Sequence, residues 1–270
     1  VLWAIQPAHA ADEQIFWFRR HSPPAIFLNG EEQGQGFVDK TLDFFIDRMP
    51  EFKHVRAQAN IPRFMKLATQ RDPVCMPGLV KSAERQLFLT YSMPIFFLNK
   101  EGIVSTDNGM QAMHASASQQ NVQHTVRAVR ITGRSYHPAT NAIFAQLHTA
   151  GHISVLASQL DAFKMLFAGR LDLVPAYPVE WYYYQKKLQT AVNLRFQPVQ
   201  NKGYTLAYFA CSNGPKGQKV IQKVNDIIMA QSIQPAYVRY YLKWLPENLR
   251  PAHQLAQERF LRLFFAHGEG

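Results

Sequence analysis

The chain has 270 residues, of which 47% are hydrophobic, and carries a formal net charge of +10. That length and apolar content are enough for one large core or two smaller ones, and they exclude a disordered chain. The lysines and arginines are spread along the sequence and form neither a tract nor a recognised binding motif. This argues against a nucleic-acid partner and leaves a general bias toward anionic ligands.

In chain order, the first segment is VLWAIQPAHAADEQ, where Ala8-His9-Ala10 matches the small-residue pattern of a signal-peptidase site. Residues 1–10 are expected to be the tail of an export signal, with the mature chain starting near Ala11; an ordinary N-terminal strand is the other reading. IFWFR (15–19) reads as a strand, and SPP and LNGEEQGQG supply the loop after it. An amphipathic helix is expected over 37–49, with Phe37, Leu42, Phe45 and Ile46 on or near its apolar face. A second helix follows over about 62–69, and then a short buried strand, Val74-Cys75-Met76, that Pro77-Gly78 breaks. This βαβ-type order points to an α/β sheet.

A related order returns downstream. VRAVRIT (126–132) is a strand ending in Gly133-Arg134-Ser135-Tyr136, followed by a helix over 141–147, the strand HISVLA (152–157) and a helix over 159–168. Gly169-Arg170-Leu171-Asp172 then leads into the strand LVPAY. FMKLATQRDPVCMPG (64–78) and AFKMLFAGRLDLVPAYP (162–178) share the order helix, Arg, Asp, apolar strand, Pro, as two similar lobes would. Beyond residue 202, GYTLAYFAC is a strand, GPKGQKVIQKVNDIIMAQS a helix and QPAYVRYYLKWL a further helix. The Gly214, Gly217 and Lys219 cluster lacks phosphate-loop spacing. No stretch reaches the ~18 apolar residues of a membrane span. Cys75 and Cys211 lie in apolar strand-like runs, as one structural disulfide or as two buried thiols.

The segment 72–94 offers an anion seat. Ser82 stands at an N-cap position before Glu84 and Arg85, so free helical N–H groups lie beside a planar guanidinium that grips carboxylates or phosphates through paired hydrogen bonds. A surface ion pair of Arg85 with Glu84 or Asp72 is the alternative.

These residues resemble the family 3 extracellular solute-binding proteins, which serve polar amino-acid uptake. Ser82-Ala83-Glu84-Arg85 is similar to the family's [T/S]-x-x-R helix start, Tyr91-Ser92-Met93-Pro94-Ile95 to its F-[ST]-x-P-[YF] segment, and Gly36-Phe37-Val38-Asp39 to its G-[FY]-x-x-D start. AGRLD (168–172) and GYTLAYFAC also look like family segments. The resemblance implies an α/β, two-lobed, type II periplasmic-binding-protein architecture in which each lobe is a mixed sheet flanked by helices. Lobe 1 would comprise 11–104 and 204–270, and lobe 2 would comprise 105–203. Arg85 would bind a ligand carboxylate, helped by Ser82 and the backbone of Gly78 and Leu79. Gly133-Arg134-Ser135-Tyr136 matches the second-lobe segment that donates to the same carboxylate, although Arg134 and Tyr136 depart from its pattern. The family's acidic anchor for the ligand α-amino group aligns with Tyr177, which supplies no full negative charge at neutral pH. Glu180 either substitutes for that anchor or is a solvated helix-start carboxylate. Phe27, Tyr91, Tyr136 and Tyr177 are candidate aromatic walls or core residues.

The implied function is capture of a small anionic or zwitterionic, carboxylate-bearing ligand by hinge closure. A monomeric periplasmic protein would then deliver it to an ABC permease or a membrane receptor, without a cofactor. A periplasmic lyase or dehydratase on the same fold is the alternative, with His137 and Glu180 as its only acid–base candidates. No metal site is expected: His148 and His152 have i, i+4 spacing, but Gly151 interrupts the helix that would align them.

Overall fold

A computed structural model of the chain describes residues 13–111, 126–150, 152–189, 192–199, 204–230 and 237–266. The expected export-signal tail, residues 1–10, and the side chain of His148 lie outside the described residues.

Two mixed sheets organise the chain. In the first, β1 (Gln14–Arg19) lies between β2 (Lys53–Gln58) and β3 (Val74–Val80), all parallel. β4 (Leu89–Tyr91) and β5 (Phe96–Leu98) both pair with β11 (Thr205–Ser212), which runs antiparallel beside β3. In the second, β7 (Arg127–Ile131) lies between β8 (His152–Leu156) and β9 (Leu173–Ala176), again parallel. β6 (Gly102–Ser105) returns antiparallel beside β9, and β10 (Arg195–Pro198) closes that edge. The orders β2-β1-β3-β11 and β8-β7-β9-β6 are the same plan used twice. The echo in the sequence corresponds to it: α2 (Ile61–Ala68) passes through Arg71-Asp72 into β3, and α5 (Gln159–Phe167) passes through Arg170-Leu171-Asp172 into β9.

Parallel neighbours need crossovers, and helices supply them. α1 (Phe37–Ile46) joins β1 to β2, α2 joins β2 to β3, and α4 (Pro138–Ala150) joins β7 to β8. Leu42 and Phe45 of α1 are buried with Ile15, Trp17 and Phe209, and α7 (Pro215–Met229) adds Val220, Val224 and Ile228 to that core. A second core gathers Val104, Val129 and Val174 with Phe163, Leu166 and Tyr184. Tyr184 belongs to α6 (Pro178–Leu188).

Several expected boundaries shift. Pro77-Gly78 does not break the third strand, which runs on to Val80. Gly78 takes φ +74°, a conformation open to glycine, and the pairing with β11 slips between Tyr208 and Ala210, so the break is a bulge. The helix opened by Ser82 is a single turn, α3 (Ala83–Gln86). β2 was not expected because its sequence, KHVRAQ, is polar and lies at the sheet edge. β6 straddles the expected lobe boundary at residue 104, and all of its residues pair in the second sheet. Within the described part of the tyrosine-rich segment, from residue 237 on, the helix is α8 (Val238–Leu242), and a longer helix, α9 (Arg250–Ala266), follows it.

Cys75 and Cys211 face each other across β3 and β11 and are joined by a disulfide. The bond closes a separation of 136 residues and pins the return strand to the first sheet. By chain entropy, Cys75→Ala/Cys211→Ala is expected to lose about 2–5 kcal/mol of unfolding free energy. Urea unfolding of parent and variant checks this, and equal midpoints would refute it.

His253 of α9 is buried among Phe97, Tyr204 and Tyr241, and neither ring nitrogen has a hydrogen-bond partner among the described residues. Burial pushes its pKa down to about 4 from 6.5. The unfolded chain therefore takes up this proton at a higher pH than the folded one. The stability the neutral ring contributes is complete above about pH 6.5 and is lost as the pH falls toward 4. Melting curves between pH 7 and 4 should be flatter for His253→Phe than for the parent, and parallel curves would contradict this assignment.

Candidate functional site

The carboxyl ends of the central parallel strands are where open α/β sheets place ligands. Arg20 directly follows β1, β3 ends at Gly78–Val80, Gly133-Arg134-Ser135 follows β7, and Tyr177 follows β9. These ends converge on a cavity of about 110 Å³ lined by Arg20, Leu79, Arg85, Arg134, Tyr177 and Glu180, among others. Both sheets contribute walls.

Ser82 accepts a hydrogen bond from the Arg85 backbone N–H (3.4 Å), which sets the start of α3. The Arg85 side chain is buried. Its Nη1 donates to the Val80 carbonyl (2.7 Å) and its Nη2 to the Gly133 carbonyl (2.7 Å), so one guanidinium ties the end of β3 to the loop after β7. Burial lowers its pKa, against the opposing pull of Tyr91 and Glu84. The loop approaches closely because residue 133 is glycine. Its φ is +72°, and a Cβ there would lie 2.9 Å from Ile61 Cβ and 3.0 Å from Pro62 Cδ.

Arg134 is held differently. Its Nη1 donates to both Glu180 carboxylate oxygens (2.9 and 3.0 Å) and its Nη2 to Glu101 Oε1 (3.3 Å). Glu101 is 1% exposed and also accepts from the His137 N–H (3.0 Å) and the Thr140 hydroxyl (2.6 Å). Glu180 accepts from the Tyr177 N–H (2.8 Å), closing the first turn of α6. Burial works against the Arg134 charge, but Glu180 and Glu101 outweigh it and hold the pKa above the usual arginine value. Glu180 is thus a helix-start carboxylate, though paired with Arg134 instead of solvated.

Arg20 has no such partners. Its guanidinium lines the cavity without a hydrogen bond or ion pair to any described residue. Burial and the neighbouring Arg134 lower its pKa, with Glu180 opposing. Its loop is anchored next door: Asp39 on α1 accepts from the Phe27 N–H (2.8 Å) and from Arg19 Nη1 (3.0 Å). Arg20 and Glu101 went unrecognised in the sequence. Arg20 was readable as the residue following a central strand, whereas Glu101 carried no local signal.

Of the sequence candidates, Gly78, Leu79, Arg85, Arg134, Ser135 and Tyr177 line this cavity. Ser82 and Tyr136 instead line a second, more open hollow that shares Val80, Ser135 and Tyr177 with the first. The Tyr136 hydroxyl accepts from the Ile131 N–H (2.6 Å). Phe27 faces Tyr183 and Trp244, with ring centroids 5.5 and 5.3 Å away, and lies outside both hollows. Tyr91 also lies outside them; burial pushes its pKa up to about 12, and its hydroxyl has no partner among the described residues. No group of residues suited to hold a metal occurs among the described residues, and none of their helices is long and apolar enough to cross a membrane.

No protein-family model matches the sequence, and no curated protein is similar to it in sequence. Solved structures do share the architecture. A putative L-cystine ABC transporter protein from Listeria monocytogenes superposes with a TM-score of 0.63 at 16% identity, over 87% of this chain and 97% of that one. A histidine kinase sensor domain with similarity to periplasmic binding proteins gives 0.65 at 15% identity, over 86% and 96%. The second Venus-flytrap domain of Bordetella pertussis BvgS gives 0.62 at 14% identity, over 86% and 92%. The chain has the two-lobed α/β fold of periplasmic binding proteins.

Proposed function

We propose that the chain is an exported, divergent family 3 solute-binding protein that captures a small carboxylate-bearing ligand between its lobes and presents it to an ABC permease or a membrane sensor. The observation that carries this reading is the cavity at the strand ends, where Arg20 and Arg85 from one sheet face Arg134 from the other. Proteins named as transport components and as a sensor domain share the fold, which supports either kind of partner. Lobe 1 would hold the first sheet and the C-terminal helices, and lobe 2 the second sheet.

The arginines divide the work. Arg134 is saturated by two carboxylates and shapes the wall. Arg85 spends two donors on the backbone and keeps others for a ligand, so it acts both as latch and as anion seat. Capture is favoured over chemistry because Glu180, the carboxylate that lines the cavity, is occupied by Arg134 and the Tyr177 N–H. His137 faces the second hollow.

Thermal-shift screening of carboxylic acids, amino acids, polyamines and small phosphates is expected to find a compound that raises the melting temperature. The gain would be about 2.7 kcal/mol in stability at a hundred times its Kd. Arg85→Ala should weaken that compound at least about tenfold, in line with a hydrogen bond to a charged group; unchanged affinity would remove Arg85 from the site. Arg134→Met should behave differently, losing about 3–5 kcal/mol of folding stability without any ligand, because it strands the buried Glu101 carboxylate and the half-buried Glu180. A variant as stable as the parent in urea would show that the Arg134 cluster is not structural.

A further inference from the structure

The charge balance and the lining of the cavity narrow the ligand further. Three guanidiniums, Arg20, Arg85 and Arg134, face two carboxylates, Glu101 and Glu180, so one positive charge remains after internal pairing. Both carboxylates bond Arg134, so the positive charge left over lies on Arg85, whose bonds go to neutral carbonyls, and on Arg20, which has no hydrogen-bonded partner among the described residues. Apart from Ser22, Ser135 and Tyr177, the rest of the wall is apolar and includes Ile26, Val38, Ile61, Met76, Phe96 and Leu98.

An α-ammonium group meets no unpaired carboxylate among the residues lining this cavity. Both oxygens of Glu180 are engaged by Arg134, and one of them also by the Tyr177 N–H. The Tyr177 ring lies 5.0 Å from the Arg134 guanidinium, and its hydroxyl is bonded to Thr205. Burial raises the Tyr177 pKa, so the hydroxyl stays neutral. A second carboxylate would in turn exceed the net charge of the three arginines and two glutamates.

We propose that the ligand is a small apolar monocarboxylate without an α-ammonium group, and that Arg20 reads its carboxylate together with Arg85. This rests on the capture function proposed above and specifies the ligand of that site. Burial and Arg134 both act against the Arg20 charge, and Glu180 opposes them only in part. The incoming carboxylate relieves this, while the aliphatic or aromatic body covers the apolar wall.

Isothermal titration of the full chain with 4-methylpentanoate and with leucine tests the proposal, because the two share one carbon skeleton and differ in the ammonium group. The acid is expected to bind at least about tenfold tighter, and succinate should be weaker than 4-methylpentanoate. Arg20→Gln should weaken 4-methylpentanoate by about 10- to 100-fold, with partial recovery in Arg20→Lys. Without ligand, Arg20→Gln should melt at or above the parent temperature, which a merely structural arginine would not allow. Leucine binding as tightly as the acid overturns the ligand class while leaving the capture function standing. Binding of neither acids nor amino acids overturns both. Unchanged acid binding in Arg20→Gln overturns the role of Arg20, and the comparison of acid with leucine on the parent chain stands whether or not the variants fold.

Discussion

The interaction on which the cleft depends is the buried cluster of Arg134 with Glu101 and Glu180. It ties together three segments distant in sequence: the chain between β5 and β6, the loop after β7, and the start of α6. A buried charge is tolerated only when it is paired and its remaining donors or acceptors are used. Here the Thr140 hydroxyl and the His137 and Tyr177 N–H groups complete the carboxylates. Because the cluster consumes both acidic groups, the electrostatic character of the cavity passes to the arginines of the other sheet.

Two constraints then set how the sheets meet. The Cys75–Cys211 disulfide and the β3–β11 pairing hold the end of β3, and with it Leu79 and Val80, at the mouth of the cavity. Arg85 extends from that end to the Gly133 carbonyl on the opposite loop. On the far side, Glu32 accepts from the Tyr183 hydroxyl (3.0 Å) and pairs with Lys187 (3.5 Å), joining the β1–α1 loop to α6. Phe27 packs into this second seam. An aromatic that seemed suited to a ligand wall thus serves the contact between the halves.

Legibility followed the range of the signal. Crossover helices and central strands could be read because their apolar spacing is a local property of consecutive residues, as in α1 with Phe37, Leu42 and Phe45. The N-cap at Ser82 was local in the same way. Polar edge strands such as β2, and short strands such as β6, owe their existence to neighbours across a sheet, so nothing within their own few residues announces them. At Pro77-Gly78 the local signal read as a break, and pairing with β11 overrode it by absorbing the irregularity as a bulge.

The sequence by itself determined the α/β class, the doubled helix–Arg–Asp–strand plan, the N-cap at Ser82 ahead of Arg85, and a tyrosine instead of an acidic residue at position 177. Each of these rests on residue identity or on spacing within one element. Only the tertiary structure decided which charges cancel. It bonded Arg134 to Glu101, 33 positions away, and to Glu180, 46 positions away, and it left Arg20 facing the cavity with no hydrogen-bonded counter-ion among the described residues. Pairing falls off steeply with distance and grows with desolvation. The net charge of a site is therefore a property of the folded arrangement, and no count of charged residues along the chain supplies it.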